Sequence, residues 1–185
     1  MDVKEAIEKR RAYRSLEPVE INENLIHDLA RHAQLSASCF NHQPWQYVFV
    51  HDAEILERMH GALSKGNEWA QAASMIIAVF SKKDDDYVIR DREYYLFDTG
   101  MATAFLILRA TELGLVAHPI AGFSPRKTRE ILDIPDEMNV ITLVIVGGKS
   151  DEVNPLMSGQ QIEAETERPE RKAFKEFVHI NTYKH

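Results

Sequence analysis

The sequence has a single cysteine, Cys39, among its 185 residues. One cysteine excludes an internal disulfide and any zinc site built on several cysteines. The histidines show no metal-ligand spacing, and the sequence contains neither a G-x-G-x-x-G nor a G-x-x-x-x-G-K-[ST] motif. The sequence therefore gives no support to a metal site, a Rossmann domain or a P-loop.

Long hydrophobic runs and an excess of positive charge are missing as well. No apolar run is long enough to span a bilayer, and the charged N-terminus lacks a signal-peptide hydrophobic region, so a soluble cytoplasmic protein is expected. The net charge is −7, from 22 basic and 29 acidic residues. A nucleic-acid partner is not expected, because binding to a phosphate backbone needs a basic surface. A small anionic ligand needs only a few local cations.

The hydrophobic patterning predicts one domain with a C-terminal extension. Asp2 and Glu5 form a capping box for a first helix that should end near Arg11, and Asn22 should cap a second. The predicted order is two helices, strand, helix, strand, long helix, strand, short helix and strand, which indicates an α+β, three-layer fold around a mixed sheet. Residues 1–150 should form this core, and the polar residues 151–185 an extended arm.

The longest predicted helix, residues 93–113, has an unusual composition. Its middle, "MATAFLILRA", is apolar almost all round. A helix that is apolar on every side must be buried on every side. A domain of this size can hardly bury such a helix alone. We expect it either to form the centre of the core or to pack against a second copy of the chain.

Arginines cluster near the N-terminus in "KRRAYR", where Arg10, Arg11 and Arg14 lie within five positions. Guanidinium groups bind phosphate in planar, bidentate geometry. Basic residues at the end of a helix also complement the helix dipole, so this cluster alone leaves both interpretations open.

The stretch "ASCFNHQPWQY", residues 37–47, places Cys39 three positions before His42. A cysteine nucleophile needs a base and an electropositive setting, and no hydrolase signature surrounds this pair. A lone cysteine is more often a small packing residue. The amides of Asn41 and Gln43 suit the edge of a heteroaromatic ring, unless the loop only caps itself.

Two further stretches are candidates for ligand contact. Asn67 follows Gly66 in a predicted loop, where it could equally start a helix. The segment "PIAG", residues 119–122, follows a predicted strand, and Gly122 would allow close approach of backbone to a ligand. A simple turn is the alternative for this segment.

Taken together, six stretches in order resemble the nitroreductase family of FMN-dependent NAD(P)H oxidoreductases. They are "IEKRRAYRSL", "SASCFNHQPWQYVFV", "GNEW", "FDTGMATAFLILRATELGLVAHPIAGF", "IPDEMNVITLVIVGG" and "ERPERKAFKEF". The resemblance implies an α+β fold with a mostly antiparallel sheet and an obligate homodimer. It also implies long helices that pack across the dimer, C-terminal arms that embrace the partner, and FMN sites at the subunit interface.

The resemblance also implies which residues bind the cofactor. Arg10, Arg11 and Arg14 match the phosphate and ribityl clamp, and the loop of residues 38–43 reaches the flavin from the other subunit. Two departures are that Ala12 replaces a usual serine, leaving only a backbone contact, and Pro169 replaces a usual basic residue. The predicted FMN-binding residues are Arg10, Arg11, Ala12, Arg14, Ser38, Cys39, Asn41, Gln43, Asn67, Pro119, Ile120, Ala121, Gly122 and Arg171, with Lys172 as a possible addition.

The implied reaction is a ping-pong reduction of nitroaromatic, quinone or similar acceptors, in which NADH or NADPH delivers hydride to flavin N5. The cofactor would carry the chemistry, so no catalytic side chain is nominated. The alternatives are a non-enzymatic flavin-binding or redox-sensing dimer, and another flavin reaction, such as dehalogenation or flavin fragmentation, on the same scaffold.

Overall fold

The computed structural model describes residues 1–183. Short 3-10 helices cover Cys39–Asn41, Glu68–Ala72, Lys83–Asp85 and Phe174–Glu176. The α-helices are α1 (Val3–Lys9), α2 (Glu23–Gln34), α3 (Ala53–His60), α4 (Tyr95–Glu112), α5 (Pro125–Leu132) and α6 (Gly159–Thr166). The strands are β1 (Leu16–Glu17), β2 (Gln46–Val50), β3 (Met75–Ser81), β4 (Val88–Ile89), β5 (Arg92–Glu93), β6 (Val116–Ile120) and β7 (Asn139–Lys149).

Local side-chain chemistry sets the starts of most helices. The Asp2–Glu5 capping box is present at α1, and the Asn22 side chain accepts the Leu25 N–H at the start of α2. Asp52 caps α3 and Ser124 caps α5 in the same way. Each cap satisfies a backbone N–H that has no partner inside the helix, which explains why these starts are readable from sequence.

The main sheet is built around β7, the longest strand. β7 pairs with β3 and β6 along its length and with β1 at its end, and β2 pairs with β3. Every pairing in the described residues is antiparallel. β4 and β5 form a separate two-stranded hairpin.

The sheet lies between two helical layers. Alternate residues of β3 face opposite sides, because successive side chains of a strand point in opposite directions. Ile76, Ala78 and Phe80 pack with α3 and α5, whereas Met75, Ile77 and Val79 pack with α2 and α4. All seven residues of β3 are buried, as the continuous apolar run predicts. The predicted α+β, three-layer architecture is confirmed.

Helix α4 is buried on one side only within the chain. Ala102, Leu106 and Ala110 face the sheet and are fully buried. On the outer side, Phe97 is 63% exposed and Phe105 is 46% exposed. The helix is therefore not buried at the centre of a single-chain core, which was one of the two arrangements expected for it.

Strand β1 was not predicted, and several other features also depart from the sequence-based expectation. α1 ends at Lys9 rather than near Arg11, and Arg10 already has extended backbone, with ψ 120°. The hairpin of β4 and β5 was not predicted. The arm contains α6, which begins with a capping box between Ser158 and Gln161. The last two residues of the predicted arm, Lys184 and His185, lie outside the described residues.

No helix within residues 1–183 is long and apolar enough to cross a membrane.

Candidate functional site

The segment of residues 10–15 runs extended from the end of α1 into β1. Glu165 of α6 fixes its course, because one carboxylate accepts the N–H groups of Arg14 and Ser15 at 2.7 and 2.8 Å and the Ser15 hydroxyl at 2.9 Å. Such charge-assisted bonds are stronger than neutral ones. The first half of the predicted arm therefore packs on its own chain and orients the arginine segment.

Arg10 and Arg14 project partly buried guanidinium groups that have no acceptor among residues 1–183. The Arg14 guanidinium lies 5.8 Å from the centroid of the Trp69 ring. Burial lowers the pKa of Arg14, and burial together with the nearby charges of Arg168, Arg171 and Arg11 lowers the pKa of Arg10. Partly desolvated cations in a like-charged cluster favour binding of an anion.

Arg11 and Arg168 use their guanidinium groups differently. Arg11 donates to the carbonyls of Ala164 and Glu165 at 3.1 and 2.9 Å. Arg168 donates to the carbonyl of Arg10 at 3.1 Å and to that of Glu8. Both arginines thus join the tail to the N-terminal segment, and Arg168 brings a second charge beside Arg10.

Two other predicted positions border this cluster. Arg171 donates to its neighbour's carbonyl, Pro169 O, at 3.3 Å, and it is close enough to lower the pKa of Arg10. Ala12 is partly buried between Arg11 and Tyr13 and carries no hydroxyl. Five arginines of the N-terminal segment and the C-terminal tail form the arginine cradle: Arg10, Arg11, Arg14, Arg168 and Arg171.

A stacked pair of rings supports the cradle from below. The rings of Trp69 and His118 stack with centroids 4.7 Å apart, and His118 Nδ1 donates to the Tyr13 carbonyl at 3.0 Å. Burial lowers the pKa of His118 to about 4, with Arg14 and Arg10 adding to the effect. The imidazole is therefore neutral near pH 7 and joins the arginine segment to β6 without adding charge.

The segment of residues 119–122 continues from β6 beside this pair. Asn67 Nδ2 donates to the Gly122 carbonyl at 2.9 Å, and the Trp69 indole donates to Asn67 Oδ1 at 3.1 Å. A Cβ atom at Gly122 would collide with the Asn67 amide. The close approach that Gly122 permits is thus to Asn67, whose side chain positions the segment. Pro119 and Ala121 are exposed and Ile120 is buried.

The loop of residues 38–43 makes its contacts at a different place. Its Cys39 N–H donates to Asp98 at the start of α4, and the Phe40 ring stacks on Tyr87 with centroids 4.6 Å apart. The Ser38 hydroxyl accepts the Gln43 N–H, so part of the loop caps itself. None of the hydrogen bonds or ring contacts of this loop within residues 1–183 reaches the arginine cradle of the same chain.

The thiol of this loop is poorly placed for nucleophilic chemistry. Desolvation and the neighbouring carboxyl groups of Asp86 and Asp98 raise the pKa of Cys39. An activated cysteine needs the opposite surroundings, with a pKa lowered by positive charge. No group of three His, Cys, Asp or Glu residues within the described chain could hold a metal ion.

Four residues of this region were missed by reasoning from sequence. Trp69, His118 and Glu165 join the predicted segments, and Arg168 lies one position before Pro169, where the family pattern has a basic residue. The Ser158–Gln161 capping box could have revealed α6. No sequence signal joins Glu165 to Ser15, which lie 150 positions apart.

Comparisons with known proteins agree with this architecture. The model of the nitroreductase family matches residues 7–68 and 61–149. A protein of Archaeoglobus fulgidus, provisionally named NADH dehydrogenase/NAD(P)H nitroreductase, is 29% identical over 148 residues, which cover 77% of this chain and 83% of the relative. The NADH dehydrogenase of Thermus thermophilus is 24% identical, over 84% of this chain and 90% of the relative.

A solved structure described as the oxidoreductase containing FMN superposes with a TM-score of 0.84. It is 25% identical, and the superposition covers 100% of this chain and 94% of the solved one. The family resemblance is confirmed by the match across both halves of the core, and the chain belongs to the nitroreductase family.

Proposed function

We propose that this protein is an FMN-dependent oxidoreductase that takes electrons from NADH or NADPH and passes them to nitroaromatic, quinone or similar acceptors. Its relatives carry names of NADH dehydrogenases and NAD(P)H nitroreductases, and a structural neighbour is described as containing FMN. The chain covers most of the length of each of these proteins.

The observation that carries the proposal is the pair of free guanidinium groups on Arg10 and Arg14. The other cradle arginines donate to carbonyls, whereas these two have no acceptor within residues 1–183. The FMN phosphate would supply such an acceptor, and Arg14 would serve the ribityl chain or the pyrimidine edge of the ring. The donor set thus fits a flavin mononucleotide.

The flavin supplies the hydride chemistry when bound, and the chain supplies position and electrostatics. Arg10 and Arg14 would bind the negative charge of the cofactor. The neutral His118, which packs under the arginines, adds no further positive charge there. Asn67 orients the backbone at Gly122, and the N–H groups of Ala121 and Gly122 would face the ring. No protein acid or base is needed at this site.

We propose that the functional form is a homodimer with a flavin at each of two interface sites. The outer side of α4 exposes Phe97 and Phe105, and the tail exposes Phe174 by 69% and Phe177 by 60%. An apolar surface of this kind is typical of a partner interface. The loop of residues 38–43, which has no hydrogen bond or ring contact to its own cradle within residues 1–183, would complete the cradle of the second copy.

A matched pair of measurements tests this function. The purified protein should be yellow and should release FMN on denaturation, and the bound flavin should bleach on anaerobic addition of NADH or NADPH. Bound flavin that neither nicotinamide bleaches would favour the second candidate, a flavin-binding or redox-sensing dimer. Product analysis with halogenated substrates would show whether the bound flavin supports dehalogenation instead of the proposed reduction.

A colourless protein that takes up no added FMN would sink the site assignment.

A further inference from the structure

Two acidic residues lie beneath the loop of residues 38–43 and are not used by the proposed reaction. Asp98, in the first turn of α4, is 2% exposed, and Asp86, after the 3-10 helix Lys83–Asp85, is 7% exposed. Neither residue forms an ion pair within residues 1–183. Burial of two carboxyl groups without cations is costly, so the pair requires a physical explanation.

The contacts of the two carboxyl groups leave one fully buried oxygen atom without a donor. Asp98 Oδ2 accepts the Cys39 N–H at 2.5 Å, and Asp86 Oδ1 accepts the Tyr87 N–H at 2.7 Å. The buried oxygen without a donor among the described residues is Asp86 Oδ2. The carboxyl group of Asp86 lies within hydrogen-bonding distance of the carboxyl group of Asp98.

Two adjacent carboxylates cannot share a buried site unless one of them keeps its proton. Burial raises the pKa of Asp86 most strongly, and the charge and hydrogen bond of Asp98 raise it further, whereas the Tyr87 N–H and the nearby His42 lower it. On the same segment, Asp85 is compensated by Lys82 at 3.7 Å. A neutral Asp86 would donate to Asp98 and satisfy the oxygen that otherwise has no partner.

The loop above the pair depends on such anchoring. Phe40, Asn41 and Gln43 have φ values of 48°, 61° and 52°, a left-handed conformation that side chains other than glycine rarely adopt. Strain of this kind costs about 1–3 kcal/mol per residue and persists only when surrounding contacts hold it. The anchors here are Cys39 on Asp98 and Phe40 on Tyr87, both attached to the carboxyl pair.

We propose that a proton shared between Asp86 and Asp98 positions the loop of residues 38–43, which makes Asp86 a positioning residue for the flavin-contacting loop. The contact of this loop with flavin depends on the proposed function, whereas the anchoring of the loop by Asp86 and Asp98 does not. The shared proton is present at low pH and is lost as the pH rises through the raised pKa of Asp86. Two carboxylates then repel one another, and the hydrogen bond from the Cys39 N–H to Asp98 is weakened.

Amide hydrogen exchange of the flavin-free protein tests the hold on the loop directly. From about pH 4, close to the ordinary pKa of an aspartic acid, to about pH 8, the protection factor of the Cys39 N–H should fall on the order of tenfold. Asp86→Asn replaces the shared proton with a permanent amide donor, so its protection should stay constant. Asp98→Asn should do the same from the other side, and it serves if the first variant folds poorly.

The matched control is Asp84→Asn, an exposed residue two positions away that changes the net charge equally. This variant should keep the wild-type pH profile. The proposal is overturned if wild-type protection does not depend on pH, or if Asp86→Asn still follows the wild-type profile.

FMN affinity measured in the same proteins separates the two proposals. The wild type and Asp84→Asn should lose affinity as the pH rises, whereas Asp86→Asn should not. If no protein binds FMN at any pH while exchange at Cys39 behaves as expected, the proposed function fails and the hold on the loop stands.

Discussion

The arginine cradle and the loop of residues 38–43 were both predicted to contact the cofactor, yet the chain builds them in different ways. The cradle is fixed by contacts between residues that are distant in sequence, such as Glu165 with Ser15 and His118 with Tyr13. The loop contains strained, left-handed backbone and is held by a few contacts, including the one from the Cys39 N–H to Asp98 at the start of α4. Contacts within one chain therefore position the arginines, whereas no hydrogen bond or ring contact within residues 1–183 joins the loop to them.

This difference suggests a division of labour. We expect the cradle to determine whether flavin binds. We expect the loop to determine how the second subunit of the proposed dimer contacts the bound flavin. The cradle has its donors in place without a partner chain, because the tail and the N-terminal segment of one chain suffice. Variants on each side of this division test it.

The largest effect is expected from removing the two free guanidinium groups. Arg10→Ala with Arg14→Ala should weaken FMN binding by about 100-fold or more, since each charge-assisted hydrogen bond contributes roughly 1.5–3 kcal/mol. Titration of flavin fluorescence measures the affinity. Sedimentation should show that the proposed dimer is unchanged, because neither guanidinium group forms a hydrogen bond or ion pair within residues 1–183.

Arg31→Ala removes an exposed arginine of α2 and provides the control. Unchanged FMN affinity in the double variant would reject the cradle.

The second variant addresses the partner subunit. Phe97→Asp places a charge on the exposed side of α4 and should convert the dimer to monomers, because an unpaired charge is strongly disfavoured in an apolar interface. Light scattering measures the mass. FMN should still bind through the arginines, though more weakly, because the partner's loop is gone.

Ala53→Asp adds the same charge at an exposed position of α3, on the opposite face of the sheet from α4, and should leave the dimer intact. A Phe97→Asp protein that stays dimeric would place the interface elsewhere.

A smaller effect is expected from the neutral histidine beneath the cradle. The pKa of His118 is lowered from 6.5 to about 4, so the folded state resists protonation that the unfolded state accepts. The stability that this residue contributes is complete above about pH 6.5 and falls as the pH drops toward 4, by about 3 kcal/mol in total. Denaturant unfolding at several pH values measures the loss.

His118→Gln keeps a side-chain donor but does not titrate, so its stability should depend less on pH in this range. His60→Gln, at a half-exposed histidine of α3, is the matched control. Equal pH profiles for wild type and His118→Gln would show that the imidazole is not buried in its neutral form.

The smallest effect concerns the thiol. Cys39→Ser should change flavin reduction by about twofold or less, because the raised pKa keeps the thiol protonated and its backbone N–H, not sulfur, makes the contact with Asp98. Anaerobic stopped-flow with NADH measures the rate. A large loss of reduction with FMN still bound would restore a reactive role for Cys39.

Much of the fold was predictable because its signals are local. Capping residues such as Asp2 and Asn22 marked helix starts, and the continuous apolar run of β3 marked a strand buried on both faces. The family and the α+β, three-layer fold are confirmed. The prediction was less accurate at residues 10–15, because contacts to a tail 150 positions away, not local propensity, make this segment extended.

The candidate site was predictable as a set of residues but not as an arrangement. Arg10, Arg11 and Arg14 looked equivalent in sequence, yet Arg11 donates to carbonyls of α6 while the other two remain free. Asn67 was predicted as a ligand contact and is found holding Gly122. The cofactor-binding roles of all these residues stay predictions that the variants above address.

The sequence by itself determined the order of the main helices and strands, the family and the residue types available for binding an anion, because capping, periodicity and motif spacing are local properties of the chain. Only the tertiary structure decided which arginines keep their donors free, that Arg168 stands beside Arg10, and that two carboxyl groups meet under the loop of residues 38–43. Those outcomes depend on which distant side chains and carbonyls come within about 3 Å of each other, the range in which hydrogen bonds form.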